Sequence, residues 1–454
     1  MHRAGQCADF IQFQFLPFTD DYERLRTRHR NSPNWPSLPL PGPAVQSTLR
    51  HLSRMQSRII ASDLGHLVHS QEREAESQLE LGQVDVDEVH QDGGLGCVPV
   101  SYFDQRLSLN KDRNDRGWRR MGPLAIPNHT AISPTAAAKG IWLEATPELV
   151  KGEVVKWAKL GNVEAVKIPG YWYRSPSSHF NLTSDSNSVD SPPISPDEKV
   201  VLYLHAGGYA IDTAHPSGID IATVPAFLNI SKNVGRVLAL EYRLSTTAPY
   251  PASNPFPAAL IDVIAGYNYL LNDLGFKPEK VILMGCSAGG HLPITLIRYI
   301  LDNPGVLPLP SALVALHPWC DLSNSFEGQY DSSAYTNHAT DHADSMFHGP
   351  IRYATKAFVG PHDAKTNVYV SPASRYLEGK VSFKGFPRTF MTAGGKERLR
   401  DPTRLLRDRF IKDLGEEKVT YVEPAEAVHG YTAFTFMEPE RSDTLRQIDE
   451  WIGN

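Results

Sequence analysis

Between Val281 and Leu301 the chain changes character within one step. Val281-Ile282-Leu283-Met284 is a short apolar run, Gly285-Cys286-Ser287-Ala288-Gly289-Gly290 follows, and Ala288 to Leu301 carries helical apolar spacing. A strand that enters a helix through a G-x-S-x-G turn leaves few options for the fold around it. The turn is so sharp that the serine takes a strained backbone conformation, and only small flanking residues let the backbone close. Gly285 and Gly289 supply them. The Ser287 hydroxyl is thereby lifted out of the sheet. The Ala288 amide, at the helix N-terminus, faces the place where negative charge can develop. G-x-S-x-G alone arises by chance in long chains; the strand before it and the helix after it identify a nucleophile elbow.

The same alternation runs through the second half of the chain. Val200 to Leu204, Val237 to Tyr242, Lys280 to Met284, Ala312 to Leu316, Arg388 to Thr392 and Val419 to Glu423 read as strands. Helical patterns at Ala258 to Leu274, Ala288 to Leu301, Thr403 to Leu414 and Asp443 to Ile452 lie among and after them, and Pro147 begins another through Trp157 and Ala158. Near-continuously apolar strands alternating with helices predict an α/β fold with a mostly parallel central sheet covered on both faces. Ser175 to Asp197 is Ser/Asn/Pro-rich and reads as a surface loop between two strands. Ser325 to Tyr376 is long, polar and aromatic, as expected of a lid. The expected organisation is a poorly ordered extension over 1–140 and a folded domain over 141–454, with cap segments at about 141–165 and 325–376. Within the extension, Gln71 to Asp92 holds eight acidic residues against one Arg, the mark of a solvated stretch.

Composition excludes more than it selects. A net charge of −6 over 454 residues gives no footprint for nucleic acid or an anionic membrane. No stretch approaches the ~18 apolar residues of a spanning helix. The four cysteines (Cys7, Cys97, Cys286, Cys320) form neither a CxxC pair nor a disulfide framework. Phe10 to Phe18 makes a poor signal peptide. A cytoplasmic location is the expectation, and the sequons at Asn128, Asn181 and Asn229 leave a secretory route open. His338, Asp341, His342, Asp344 and His348 match no known metal spacing, so no metal or other cofactor is expected.

A second motif, His205-Ala206-Gly207-Gly208-Tyr209, directly follows Val200 to Leu204. A glycine pair at the C-terminal end of a strand leaves amides bare for a substrate oxygen, and its place two strand units before the elbow suits a second oxyanion donor. HAGGY, then Glu241-Tyr242-Arg243-Leu244 with Pro249-Tyr250-Pro251-Ala252, then GCSAGGHL resembles the hormone-sensitive-lipase-like branch of the α/β-hydrolases. That branch carries HGGG, a D-Y-R-L-x-P-like segment and GDSAGG in this order. The resemblance covers roughly Trp142 to the C-terminus. Within the branch the chain is similar to fungal-type steryl acetyl hydrolases and carboxylesterases. It implies a serine carboxylesterase or lipase with a cap. Ala206, Glu241 and Cys286 depart from the pattern, at the first Gly of the triplet, the usual Asp of the second motif and the Asp before the nucleophile. None removes a catalytic atom. Cys286 reads as a small buried residue that loses the polar contact of the Asp it replaces.

The remaining machinery should follow in the order serine, acid, histidine. His429, in Val428-His429-Gly430-Tyr431 after the last strand, resembles the catalytic histidine segment of the family. Gly394 to Asp401 offers two acids. Asp401 precedes Pro402 and reads as an N-cap for Thr403 to Leu414, which leaves Glu397 for the chemistry and Asp401 as the alternative. The expected site is Ser287, Glu397 and His429 as catalytic residues and the amides of Gly207, Gly208 and Ala288 as oxyanion hole, with His205, Gly285 and Gly289 in support. Tyr209 touches substrate or merely packs. Arg243 is expected in a structural ion pair, and His291 in a structural contact. The substrate expected is a small-molecule ester with a short-to-medium acyl group, acetyl esters of hydrophobic alcohols such as sterols included. Acyl transfer to an alcohol, amide hydrolysis by the same triad, and a non-catalytic ligand receptor are the alternatives. Oligomeric state and natural substrate stay open.

Overall fold

The computed structural model describes residues 138–175, 197–341 and 349–454, together with Ile132, Ser195 and Ala343. Outside them fall the rest of the 1–140 extension, most of the loop Ser175 to Asp197, and His342, Asp344 and His348 of the histidine-rich run. In chain order the main elements are β1 (Lys139–Leu143), α1 (Gly152–Gly161), β2 (Ile168–Arg174), β3 (Lys199–Leu204), α2 (Thr223–Ile230) and β4 (Val234–Leu240). Then follow α3 (Ala258–Asn268), β5 (Val281–Cys286), α4 (Ala288–Asp302), β6 (Ala312–Leu316), α5 (Ser333–Thr336) and α6 (Gly349–Val359). β7 (Arg388–Thr392), α7 (Arg400–Leu414), β8 (Val419–Val422) and α8 (Glu440–Gly453) complete the chain.

The strands form one eight-stranded sheet in the order β1-β2-β4-β3-β5-β6-β7-β8. β3 to β8 are parallel, whereas β2 runs antiparallel to both β1 and β4. Every residue from Val200 to Leu204 is buried, because successive side chains point to opposite faces and both faces are covered. Val200, Leu202 and Leu204 join one core with Val154 of α1, Leu260 of α3, Leu292 of α4 and Phe410 of α7. Val201 and Tyr203 join the other, with Phe227 of α2 and Leu445 and Ile448 of α8. All six expected strands are present, within a few residues at their ends.

Two strands and one helix were not legible. β2 contains Pro169 and Gly170, which read as a turn. Pro169 lies at the strand's second position, where a missing N–H is tolerated, and Gly170 lets Leu143 and Leu238 pack within 3.0 and 3.3 Å of where its Cβ would stand. β1 takes residues 141–143 into the sheet, so the expected cap segment 141–165 begins as sheet. The helix expected from Pro147 is corrected too. Pro147–Leu149 is a single 3-10 turn, Val150 and Lys151 are extended, and Gly152, at φ +60°, opens α1. α2 carries Pro225 in its first turn, where it breaks no helical hydrogen bond. Its short apolar stretch lacks a sequence boundary signal.

Arg243, just past β4, behaves as expected. Its guanidinium forks onto the Asp262 carboxylate of α3 at 2.7–3.0 Å, its backbone amide donates to the same carboxylate at 2.8 Å, and Nη1 donates to the Glu164 carbonyl. Both side chains are sequestered, 4% and 0% exposed. Removing one partner strands a charge in the core. Arg243→Met should therefore cost about 3–5 kcal/mol in urea denaturation, with Asp262→Asn similar; a cost below 1 kcal/mol would contradict this account.

Candidate active site

The elbow lies at the C-terminal end of β5. Ser287 has φ 55° and ψ −115°, a conformation that costs a non-glycine residue on the order of 1–3 kcal/mol. Its surroundings hold it there. Its amide donates to the Leu316 carbonyl at 2.9 Å, and its carbonyl accepts from the amides of Gly290, His291 and Trp319 at 2.9–3.0 Å. The flanking glycines are required by close approach of backbones: a Cβ on Gly285 would strike the Gly289 carbonyl oxygen, and one on Gly289 would strike the carbonyls of Leu204 and His205. The turn is locked against the end of β3.

The loops after β7 and β8 bring two further side chains to this point. His429 Nε2 lies 2.9 Å from Ser287 Oγ. On the other side of the ring, His429 Nδ1 lies 3.5 Å from Glu397 Oε2. That is longer than a formed N–H···O bond, so the two groups face each other as an ion pair would. Burial pushes the Glu397 carboxyl up, and the facing imidazole pulls it back only in part. For His429, burial favours the neutral ring, but the facing Glu397 carboxylate, followed by the charges of Asp341 and Asp220, outweighs it and raises the pKa. The geometry suits a base that accepts the serine proton and becomes a stabilised cation.

The turn after β3 supplies the third component. Gly207, at φ +103°, closes a tight turn that accepts from Ala210 and Ile211 amides at 3.0 and 3.1 Å; a Cβ there would meet the Ile211 carbonyl. Among the described residues, none accepts a hydrogen bond from the amides of Gly207, Gly208 or Ala288. The loop is braced from behind. Burial drives His205 down to about 4, so the ring is neutral at pH 7; it stacks on Tyr242 at 4.2 Å, and the Tyr242 hydroxyl donates to the His205 carbonyl at 2.7 Å. Glu241 accepts from Thr213 Oγ1 at 2.6 Å and the Ala214 amide at 2.8 Å, fixing the far side of the same loop.

Other expected residues resolve into structure. Tyr209 is fully buried, bonds through its hydroxyl to His291 Nδ1 at 2.6 Å and stacks on Phe358 at 3.7 Å, so packing, not a substrate contact, accounts for it. His291 joins that contact to the Tyr369 carbonyl at 2.9 Å, tying α4 to the 325–376 segment. Asp401 does not cap a helix. α7 starts at Arg400, which places Asp401 in its first turn, where it accepts from the Ser333 amide of α5 at 2.7 Å. It lies outside the Ser287–His429–Glu397 line. Of the histidine-rich run, His338 Nδ1 contacts the Tyr335 carbonyl at 2.7 Å. Among the described residues no group of three or more His, Cys, Asp or Glu side chains is arranged to hold a metal ion.

Three participants were missed in the sequence. Asp341, from the inserted segment, accepts from the His429 amide at 3.2 Å and the Arg398 amide at 2.7 Å, so it braces both loops that carry His429 and Glu397. His317, after β6, packs edge-on to the His429 ring at 5.6 Å. Asp220 lies behind the oxyanion turn. Asp341 stood out only within the histidine-rich run weighed for a metal; its bracing role has no local signal, since these two amides lie 57 and 88 residues away.

A family model described as alpha/beta hydrolase fold matches residues 201–433, more than half of the chain. The chain belongs to that family. It is similar to the esterase LipU of Mycobacterium tuberculosis, 29% identical over 260 residues that cover 57% of this chain and 79% of the relative. It is also similar to an acetyl-hydrolase of Streptomyces hygroscopicus, 29% identical over 255 residues, 55% and 73% of the two chains. The crystal structure of an esterase from the bacterial hormone-sensitive lipase family shares the fold with a TM-score of 0.51 at 22% identity, covering 79% of this chain and 96% of that one. Family model and relatives make this chain an α/β-hydrolase-fold enzyme of the carboxylesterase/lipase type, with a motif order that resembles the hormone-sensitive-lipase-like branch. No helix among the described residues is long and apolar enough to cross a membrane.

The electrostatics give a direct test. Asp341→Asn removes one of the negative charges that favour the imidazolium, so the NMR titration of His429 should move to lower pH. Glu397→Gln, which removes the larger influence, should move it further in the same direction. A His429 titration that stays put in both variants would refute the assigned causes.

Proposed function

We propose that the chain hydrolyses carboxylic esters through a Ser287 acyl-enzyme, with His429 as general base and acid and Glu397 as its orienting carboxylate. One observation carries this reading: the 2.9 Å approach of His429 Nε2 to Ser287 Oγ, with Glu397 on the opposite ring nitrogen. His429 takes the serine proton as Oγ attacks the ester carbonyl, and Glu397 keeps the ring in the tautomer that presents Nε2 bare. The amides of Gly207, Gly208 and Ala288 receive the oxyanion, a contribution of about 2.7–4 kcal/mol per donor. His429 then protonates the departing alcohol, and water repeats the sequence on the acyl-enzyme. No cofactor enters any step.

The acyl side is tight. The Ala354 Cβ of α6 and the ring edge of Trp319 stand 3.3 and 3.5 Å from where a Cβ on Gly208 would be. Trp319 is buried, and its amide is bonded to the Ser287 carbonyl. The indole therefore fills volume beside both the nucleophile and the oxyanion glycines, which favours a short acyl group such as acetyl. In this reading the 325–376 segment is the cap: it supplies α6 above the glycines and Asp341 beside the base.

Ser287→Ala should abolish hydrolysis of p-nitrophenyl acetate and butyrate with an unchanged circular-dichroism spectrum, and mass spectrometry should locate a fluorophosphonate adduct on Ser287 of the wild type. Undiminished turnover in the variant would refute the mechanism. Trp319→Ala should raise the octanoate-to-acetate ratio of kcat/KM by about tenfold or more. An unchanged chain-length profile would place the acyl group elsewhere.

A further inference from the structure

We propose that Asn337 is the positioning residue of the acid loop, holding Glu397 at the His429 ring from within the inserted 325–376 segment. The proposal rests on Glu397 and His429 being the acid and base of the Ser287 reaction. The loop after β7 lies between two sets of partners. On one side the amides of Gly395 and Lys396 donate to the carbonyls of Pro424 and Ala427 at 2.9 Å, in the stretch that leads to His429. On the other side lies the turn after α5. Asn337 Nδ2 donates to the Glu397 carbonyl at 2.8 Å and to the Gly395 carbonyl at 3.3 Å. Thr340 Oγ1 reaches the Lys396 carbonyl at 3.1 Å, and Asp341 accepts from the Arg398 amide at 2.7 Å and the His429 amide at 3.2 Å. Residues 337–341 thus grip each of residues 395–398 by its main chain.

Glu397 needs that grip because its own carboxylate supplies little. The side chain is fully buried, and neither oxygen has a well-formed hydrogen bond among the described residues; His429 Nδ1 faces one of them at 3.5 Å. Such a group is expensive to bury and is not fixed by its own oxygens, so the main chain from which it springs decides where it lies. Asn337 suits the task. Both groups it meets are carbonyl oxygens, which only accept, so its amide must turn its NH2 toward them. It is buried and brings no charge to the site. Anchoring the insert does not require it. Ser333 Oγ donates to the Arg398 carbonyl at 2.9 Å, the Ser333 amide to Asp401 at 2.7 Å, and the Arg398 guanidinium to the Ala334 carbonyl at 2.7–3.0 Å. Those bonds fasten α5 to the start of α7, whereas Asn337 bonds the carbonyl of Glu397 itself.

The test separates positioning from packing. Asn337→Ala removes both bonds and changes no charge. The groups that face His429, which are Glu397, Asp341, Asp220 and the His317 ring, all keep their identity in this variant. A Glu397 that drifts from the ring favours the imidazolium less, so the NMR titration of His429 should move to lower pH. kcat on p-nitrophenyl acetate should fall about tenfold with KM within about twofold, as expected for a small misplacement of the reacting groups. Thr340→Val is the second variant. Thr340 is exposed and its hydroxyl is shared with the Asn337 carbonyl at 3.1 Å. The same two changes should therefore appear at smaller size, about two- to threefold in kcat. This variant decides the matter where Asn337→Ala does not fold. Both readouts must move: a kcat or a His429 titration at its wild-type value in the deciding variant would overturn the proposal. A lower melting temperature with both unmoved would do so as well, leaving Asn337 a packing residue. Wild-type protein that escapes fluorophosphonate labelling would instead sink the Ser287 reading, and Asn337 with it; labelled wild type with indifferent variants sinks Asn337 alone.

Discussion

Two backbones touch at the centre of this molecule, and the site depends on that contact. Gly289 lies against the carbonyls of Leu204 and His205, and Gly285 lies against Gly289. No side chain fits between them. The elbow after β5 and the turn after β3 are consequently one rigid unit, and the strained Ser287 backbone is the cost of making it. The parallel order of β3, β5, β6, β7 and β8 does the rest, because parallel neighbours deliver all their following loops to the same edge of the sheet. Ser287, Glu397, His429 and the glycine turn after β3, far apart along the chain, meet there without any long-range device beyond strand order.

Buried carboxylates are the second organising element. Asp220 and Glu241 lie behind the oxyanion turn, and Asp341 and Glu397 flank the base; all four are removed from solvent. Burial pushes Glu241 up to about 7, and it raises Asp220 and Glu397 as well. Most of their partners are backbone amides and hydroxyls, not cations. Such groups fix loops through directional hydrogen bonds, whereas Arg243 and Asp262 fasten the scaffold through a paired charge. Glu397, Asp341 and Asp220 among them favour the protonated state of His429, the state that would follow transfer of a serine proton.

The inserted 325–376 segment connects the glycine turn after β3 to the loops that carry Glu397 and His429. α6 leans over Gly208, His291 reaches the Tyr369 carbonyl, and Asp341 accepts from the amide of His429. A segment that packs over Gly208 therefore also braces the loop of His429. Its placement follows from chain geometry: it leaves the sheet after β6 and returns before β7, directly beside the loops of Glu397 and His429.

What the sequence determined by itself was whatever is local or periodic. The strand–elbow–helix passage, the glycine pair after β3 and the six parallel strands were all legible, since period-two and period-3.6 patterns and small residues at tight turns are written in adjacent positions; Glu397 and His429 were picked out by family resemblance and by their place after the last two strands. Only the tertiary structure decided the rest. β1 and β2 form because the sheet offers them an edge, against the local signals of Pro169 and Gly170. Asp401 looked like a helix cap because Pro402 follows it, but α7 gains an earlier start and Asp401 bonds to Ser333, 68 residues away. Asp220 and Asp341 bear no motif at all. Main-chain amides and a tyrosine hydroxyl are brought to them by folding, and a backbone amide has no letter in a sequence.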